Sequence, residues 1–127
     1  MSDREELHEQ FFITPFWSTH IPEWVDEVNK TCQPYLDEAH ERQSEYTKDG
    51  DMGRVYHSGS IENDFKLKFL VEYIGGTACN LLRTWGSDIS NHKVLFDSMW
   101  VQEFARDGGG HHRVHIHENC HVSGFYF

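Results

Sequence analysis

The chain has no long apolar run. Nothing in its 127 residues approaches the roughly 20 consecutive apolar positions that a membrane-spanning helix needs. Positive charge is scarce as well: 11 Lys and Arg stand against 21 Asp and Glu, for a net charge of −10. The basic residues are scattered, which argues against nucleic acid and against an anionic membrane as partners. Cysteine is limited to Cys32, Cys79 and Cys120. An odd count at wide spacing indicates neither a disulfide framework nor a zinc ribbon, and reduced thiols of a cytoplasmic protein are expected. Met1 to Glu9 is polar and charged and holds no apolar stretch of the kind a secretory signal carries. Internal repeats and low-complexity segments are absent.

Several catalytic templates are missing too. Ser123-Gly124 lacks the first glycine of a G-x-S-x-G elbow. Gly108-Gly109-Gly110 is followed by neither Lys-Ser/Thr nor a helix start, so it is not a phosphate loop. Cys120 and His121 are adjacent, and adjacent strand residues face opposite ways, which argues against a thiol–imidazole pair.

What the chain does have is aromatic mass: nine Phe, five Tyr and four Trp, within an apolar content of 38%. That is enough for one domain with its own core. Phe11 to Ile21 reads as extended. Pro22 suits a first helical position, and Trp24, Val25, Val28, Cys32, Tyr35, Leu36 and Ala39 follow a helical spacing up to about Gln43. Pro34 should kink or split that helix. Ser44 to Ser60 reads as a loop with a short strand at Val55-Tyr56. Asn63 can cap a second helix over Asp64 to Trp85, on which Phe65, Phe69, Ile74, Ala78, Leu81, Leu82 and Trp85 follow helical spacing, stopped by Gly86. Gly75-Gly76 inside it suggests close packing on a sheet, or a kink. From Lys93 the pattern favours strands. Val94 and Phe96 alternate, as do Met99 and Val101, with Trp100, Gln102 and Phe104 on the opposite face. Asp107 to Gly110 is a turn, Arg113 to His117 alternates polar and apolar, and Val122 to Phe127 is aromatic and β-branched.

Five of the ten histidines fall between His111 and His121. On a strand, His115 and His117 share one face about 6.6 Å apart, with Val114 and Ile116 turned to a core. Imidazoles so placed can converge on one cation, and imidazole suits Fe, Zn, Cu and Ni. A solvated polar face is the plain alternative. His121, past a polar turn at Glu118 and Asn119, is the nearest candidate third ligand. His111 and His112 read as loop or entrance residues on the glycine turn. His8, His20, His40, His57 and His92 read as isolated surface or structural residues.

The string from Gly108 to Phe127, with its glycine turn, His115-x-His117, short polar turn and Ser123-Gly124-Phe125-Tyr126, resembles the core signature of 2-oxoglutarate- and Fe(II)-dependent oxygenases of bacteria and marine phages. Phe11 to Trp17, Asp64 to Asp88 and Ser98-Met99-Trp100 are similar to upstream parts of that family. The resemblance implies an α+β chain, with N-terminal helices packed on the first strands of a double-stranded β-helix, or jelly roll. Residues 1–92 would form the helical flank and 93–127 the first barrel strands. It implies Fe(II) as cofactor, 2-oxoglutarate as co-substrate, and hydroxylation of a C–H bond in an unknown substrate. His115 and His117 would be metal ligands, and Ser123 and Tyr126 would line the pocket. The family's distal His and its basic partner for the co-substrate carboxylate would lie beyond Phe127. The apolar strand pattern at the last residues suggests a truncated barrel with an unpaired edge open to self-association. Two other readings stand beside this one. His115, His117 and His121 partly match a cupin motif and could hold a metal without 2-oxoglutarate. A non-catalytic module that needs a partner to complete its fold is the third.

Overall fold

The computed structural model describes residues 14–43 and 52–127. The acidic lead from Met1 to Glu9, the start of the extended segment at Phe11 and Phe12, His8, and the loop around Gly50 lie outside the described residues. The class is α+β: two helices and short antiparallel strands. No helix among the described residues is long and apolar enough to cross a membrane.

A 3-10 turn at Pro22–Trp24, opened by the proline, leads into helix α1, Val25–Arg42. Asp26 and Glu27 in its first turn and His40 and Arg42 in its last both complement the helix dipole. The helix runs unbroken through Pro34, contrary to the expected split. Pro34 is exposed, and buried residues lie on both sides of it, Val28, Thr31 and Cys32 before and Ala39 after. Packing on both sides of Pro34 keeps the segment helical despite the lost backbone bond.

Strands β1, Met52–Gly53, and β2, Val55–His57, follow. A 3-10 turn at Phe65–Leu67 then opens helix α2, Lys68–Thr84. The cap is Asp64, not Asn63: its side chain accepts the backbone N–H of Lys66 at 2.9 Å. The Tyr35 hydroxyl donates to the same carboxylate at 2.7 Å, tying α1 to the start of α2. Gly86, at φ +92, ends the helix as expected, a left-handed position that suits glycine. Gly75 and Gly76 do not pack closely on anything, since a Cβ at either would meet no atom within 4 Å. The core is Val28, Cys32, Ile61, Leu67 and Leu70, flanked by Trp24, Tyr35, Phe69, Ile74, Met99 and Val101. Trp24 meets Phe69 and Tyr73 edge-on, with ring centroids 5.2 and 5.0 Å away, so the 3-10 turn ahead of α1 is clamped to α2.

The Tyr35–Asp64 tie makes a pH prediction. The Lys66 N–H, and then the Tyr35 hydroxyl, hold the Asp64 carboxyl below its ordinary value of 3.8. The folded state therefore favours the ionised form. Its contribution to stability is present above the ordinary value and is lost as pH falls through the folded one. Acid unfolding followed by circular dichroism should show Asp64→Ala less stable than wild type at neutral pH, with the gap closing as pH drops below 3.8. A gap that stays constant with pH would remove this carboxylate from the acid limb.

The remaining strands are β3, Gln102–Phe104, and β4, His111–His112. β2 pairs antiparallel with β3, Val55 opposite Phe104 and His57 opposite Gln102. β1 pairs with β4, Gly53 opposite His111. Beyond β2 the pairing continues through Ser58 N–H to Val101 O at 3.0 Å and Ile61 N–H to Met99 O at 2.8 Å. The result is two two-stranded ladders, β1–β4 and β2–β3, that meet at Arg54, with Met99 and Val101 turned to the core.

Several expected strands do not form. Val94 to Phe96 has no ladder, and neither does Arg113 to His117 nor Val122 to Phe127. Val114 and Ile116, assigned to a core by their alternation, are 104% and 77% exposed. Among the described residues no second sheet is laid against the segment after β4, so alternation alone cannot bury its apolar face. Phe125 and Phe127 stack on each other at 5.5 Å, and the last residues form no strand edge.

Candidate metal centre

The histidines are placed by an irregularity where the two ladders meet. Arg54, between β1 and β2, sits at φ +56, an uncommon left-handed conformation for a non-glycine residue. Its carbonyl accepts the N–H of Ala105 at 3.0 Å, and the partner chain then loops out through Gly110 before pairing resumes. Gly108 and Gly109, at φ +84 and +80, supply the turn, and the Arg54 guanidinium pairs with the Asp107 carboxylate across it. At Gly110 a Cβ would fall 2.9 Å from the Arg54 carbonyl oxygen, and at Gly53 it would fall 2.2 Å from the His111 ring. These glycines let the two strands close again directly after the loop. His111 and His112 therefore lie in a strand, not on the glycine turn as the sequence suggested.

His112 faces the ribbon. Its Nε2 is 3.1 Å from the Gln102 side-chain oxygen, and its ring tilts against Phe104 at 5.7 Å. Burial pushes its imidazole below the ordinary value, and the neighbouring His115, His57 and His111 add to the effect.

The pair foreseen from the sequence does come together. His115 Nδ1 lies 2.8 Å from the Arg113 carbonyl oxygen. A carbonyl only accepts, so Nδ1 carries the proton, and in the neutral ring Nε2 holds a lone pair. That Nε2 accepts from the Nε2–H of His117 at 3.2 Å, and a cation shared by the two rings would displace this proton. Two metal–imidazole bonds of about 2.0–2.1 Å at tetrahedral or octahedral angles place their nitrogens about 2.9–3.4 Å apart. The two donors are thus spaced for one cation, and one of them has the second-nitrogen hydrogen bond that fixes a ligand's tautomer.

The other expected residues are not gathered here. Among the described residues no group of three His, Cys, Asp or Glu is arranged to hold a metal. His121 instead lines a shallow hollow of about 200 Å³ with Trp17, Leu81, Leu82 and Trp85. Glu118 and Asn119 form the foreseen turn, closed by Cys120 N–H to His117 O at 3.3 Å. Ser123 is exposed, and the Tyr126 hydroxyl donates to the Ile21 carbonyl at 2.8 Å, ahead of α1.

Two neighbours were not foreseen. His57, read as isolated, stacks on Trp100 with centroids 5.4 Å apart and planes at 23°. Trp100 stacks in turn on His117, at 6.3 Å and 18°. The signal was the alternation from Met99 to Phe104. The face opposite the core residues, Trp100, Gln102 and Phe104, is the face that receives the histidines. Comparison of the chain with protein-family models, with curated proteins and with solved structures gives no match.

Proposed function

We propose that this chain carries the ligand pair of a non-haem Fe(II) oxygenase that uses 2-oxoglutarate as co-substrate, with His115 and His117 as two of the iron ligands. The observation behind this reading is the 3.2 Å separation of the two Nε2 atoms, with His115 Nδ1 bonded back to the Arg113 carbonyl. The Gly108–Phe127 signature supports the choice of iron and 2-oxoglutarate over other imidazole-binding metals. Antiparallel pairing of the β2–β3 kind is what a jelly roll is built from, and β3 and β4 are the strands that form within 93–127. Iron bound there would supply the oxidising chemistry: O2 would be consumed as 2-oxoglutarate loses CO2 to give succinate, one oxygen atom going to succinate and the other to the hydroxylated C–H bond. The chain's own part is narrower. His115 and His117 donate two neutral nitrogens on one side, which leaves the other positions to a further protein donor, the co-substrate and water.

Anaerobic titration with Fe(II), or with Co(II) as a spectroscopic substitute, tests the reading. Wild type should bind one equivalent. His115→Ala and His117→Ala should each weaken binding by at least about tenfold, since even losing a group that supports a ligand costs that much. His121→Ala should leave affinity unchanged, and 2-oxoglutarate should tighten the complex. Equal binding by wild type, His115→Ala and His117→Ala sinks the proposal. A large loss in His121→Ala would favour the three-histidine cupin arrangement. Metal binding with no response to 2-oxoglutarate would leave a metal-binding module without the oxygenase chemistry.

A further inference from the structure

We infer that Trp100 is the positioning residue of the histidine pair: its indole, carried by the ribbon and stacked with His57, is the platform that sets the His117 ring. The inference rests on the metal-site reading for its purpose, though the stack itself exists without metal. The question it answers comes from the backbone. His115 and His117 lie in a segment with no ladder hydrogen bonds, so strand pairing does not hold the two rings at their 3.2 Å approach. His115 has the Arg113 carbonyl to orient it. For His117 the contacts are the His115 nitrogen on its edge and the Trp100 indole on its face.

The backbone that carries the indole is well fixed, while Trp100 itself is 37% exposed. Met99 and Val101, on either side of it, pack against the core. Val101 is bonded twice to Ser58, accepting its N–H at 3.0 Å and donating to its hydroxyl at 3.0 Å. The next residue back, His57, has its Nδ1 2.6 Å from the Ser58 carbonyl and its ring near-parallel to Trp100, with centroids 5.4 Å apart. Trp100 thus lies near-parallel both to an imidazole on the ribbon and to an imidazole on the unpaired segment, linking the two. Both stacks fall within the 4.5–7 Å over which aromatic rings attract. A side chain already held in its binding orientation loses less rotamer freedom when it takes a ligand, a saving of about 0.5–1.5 kcal/mol per side chain.

The test compares wild type, Trp100→Leu and Trp100→Phe, using proton NMR of the imidazoles without metal and Co(II) titration with it. In wild type the indole ring current should move the His57 and His117 ring protons upfield. Trp100→Leu should return both to the positions of exposed histidines and weaken Co(II) binding about two- to tenfold, with stoichiometry unchanged. Trp100→Phe, which keeps an aromatic face, should recover most of the affinity. Unchanged His117 shifts, or unchanged Co(II) affinity in a folded Trp100→Leu protein, overturns the role of Trp100 while leaving the metal reading in place. If wild type binds no Co(II), the metal reading fails and the NMR shifts alone decide the stack. Should Trp100→Leu not fold, His57→Leu removes only the other stacked ring. It should move both the His117 shifts and the Co(II) affinity, and no movement in either overturns the inference.

Discussion

Replacing Leu67 with alanine is expected to lower the unfolding free energy by about 2–5 kcal/mol, the range for emptying a fully buried leucine site. Leu67 has 0% exposure and sits where three things meet: the Tyr35–Asp64 tie, the first turn before α2, and the cluster of Val28, Cys32, Ile61 and Leu70. With so few buried residues, the surroundings have little material with which to collapse into the cavity. Net stabilities of domains are about 5–15 kcal/mol, so the loss would be a large share of the total. Phe65 is the internal control, two residues away in the same turn yet 80% exposed. Phe65→Ala should change stability by no more than about 0.5 kcal/mol. Urea denaturation reads both, and the midpoint of Leu67→Ala should fall sharply with little change in slope. Equal effects at the two positions would mean that the two helices do not share this core.

The contrast between Leu67 and Phe65 was not legible in the sequence. Helical spacing marked both helices, because that signal is local and repeats every turn, and in α1 it marked the buried Val28, Cys32 and Ala39. In the second helix it selected the exposed Phe65 and passed over the buried Leu67 and Leu70. It could not show that α1 continues through Pro34, which depends on burial to either side. Nor could it show that Gly75 and Gly76 face open space. The histidine pair was legible for a similar reason, since residues two apart in extended chain share a side whether or not a ladder forms. The strand assumed to hold them was not there, because pairing depends on a neighbour that local alternation cannot report. His111 and His112 were misplaced for a longer-range reason. Their register depends on Arg54 adopting a left-handed conformation and on the chain looping out from Ala105 to Gly110, a match between two distant segments. His57 and Trp100 come together through that same match, and only the phase of Trp100 against Met99 and Val101 hinted at it.

Two glycine-to-alanine changes should move stability in opposite directions. At Gly110 the new Cβ would stand 2.9 Å from the Arg54 carbonyl oxygen and 2.9 Å from a Phe104 ring carbon. The first of these is backbone, held by its bond from Ala105, and cannot swing aside. The strands must part, at a cost of about 1–3 kcal/mol, the usual range for overpacking. The damage should extend along β4. Once it shifts against β1, His112 loses its contact with Gln102 and the approach to His115 changes with it. A drop in Co(II) affinity should therefore accompany the drop in stability, although Gly110 touches no ligand. At Gly75, in the middle of α2, an added Cβ meets nothing, and alanine should stabilise by about 0.4–1 kcal/mol by reducing the freedom of the unfolded chain. Its metal affinity should equal that of wild type. If Gly110→Ala lowers stability but leaves Co(II) binding intact, the histidine pair is set by the Trp100 platform and the Arg113 carbonyl alone. If both fall together, the loop register upstream is part of what builds the site.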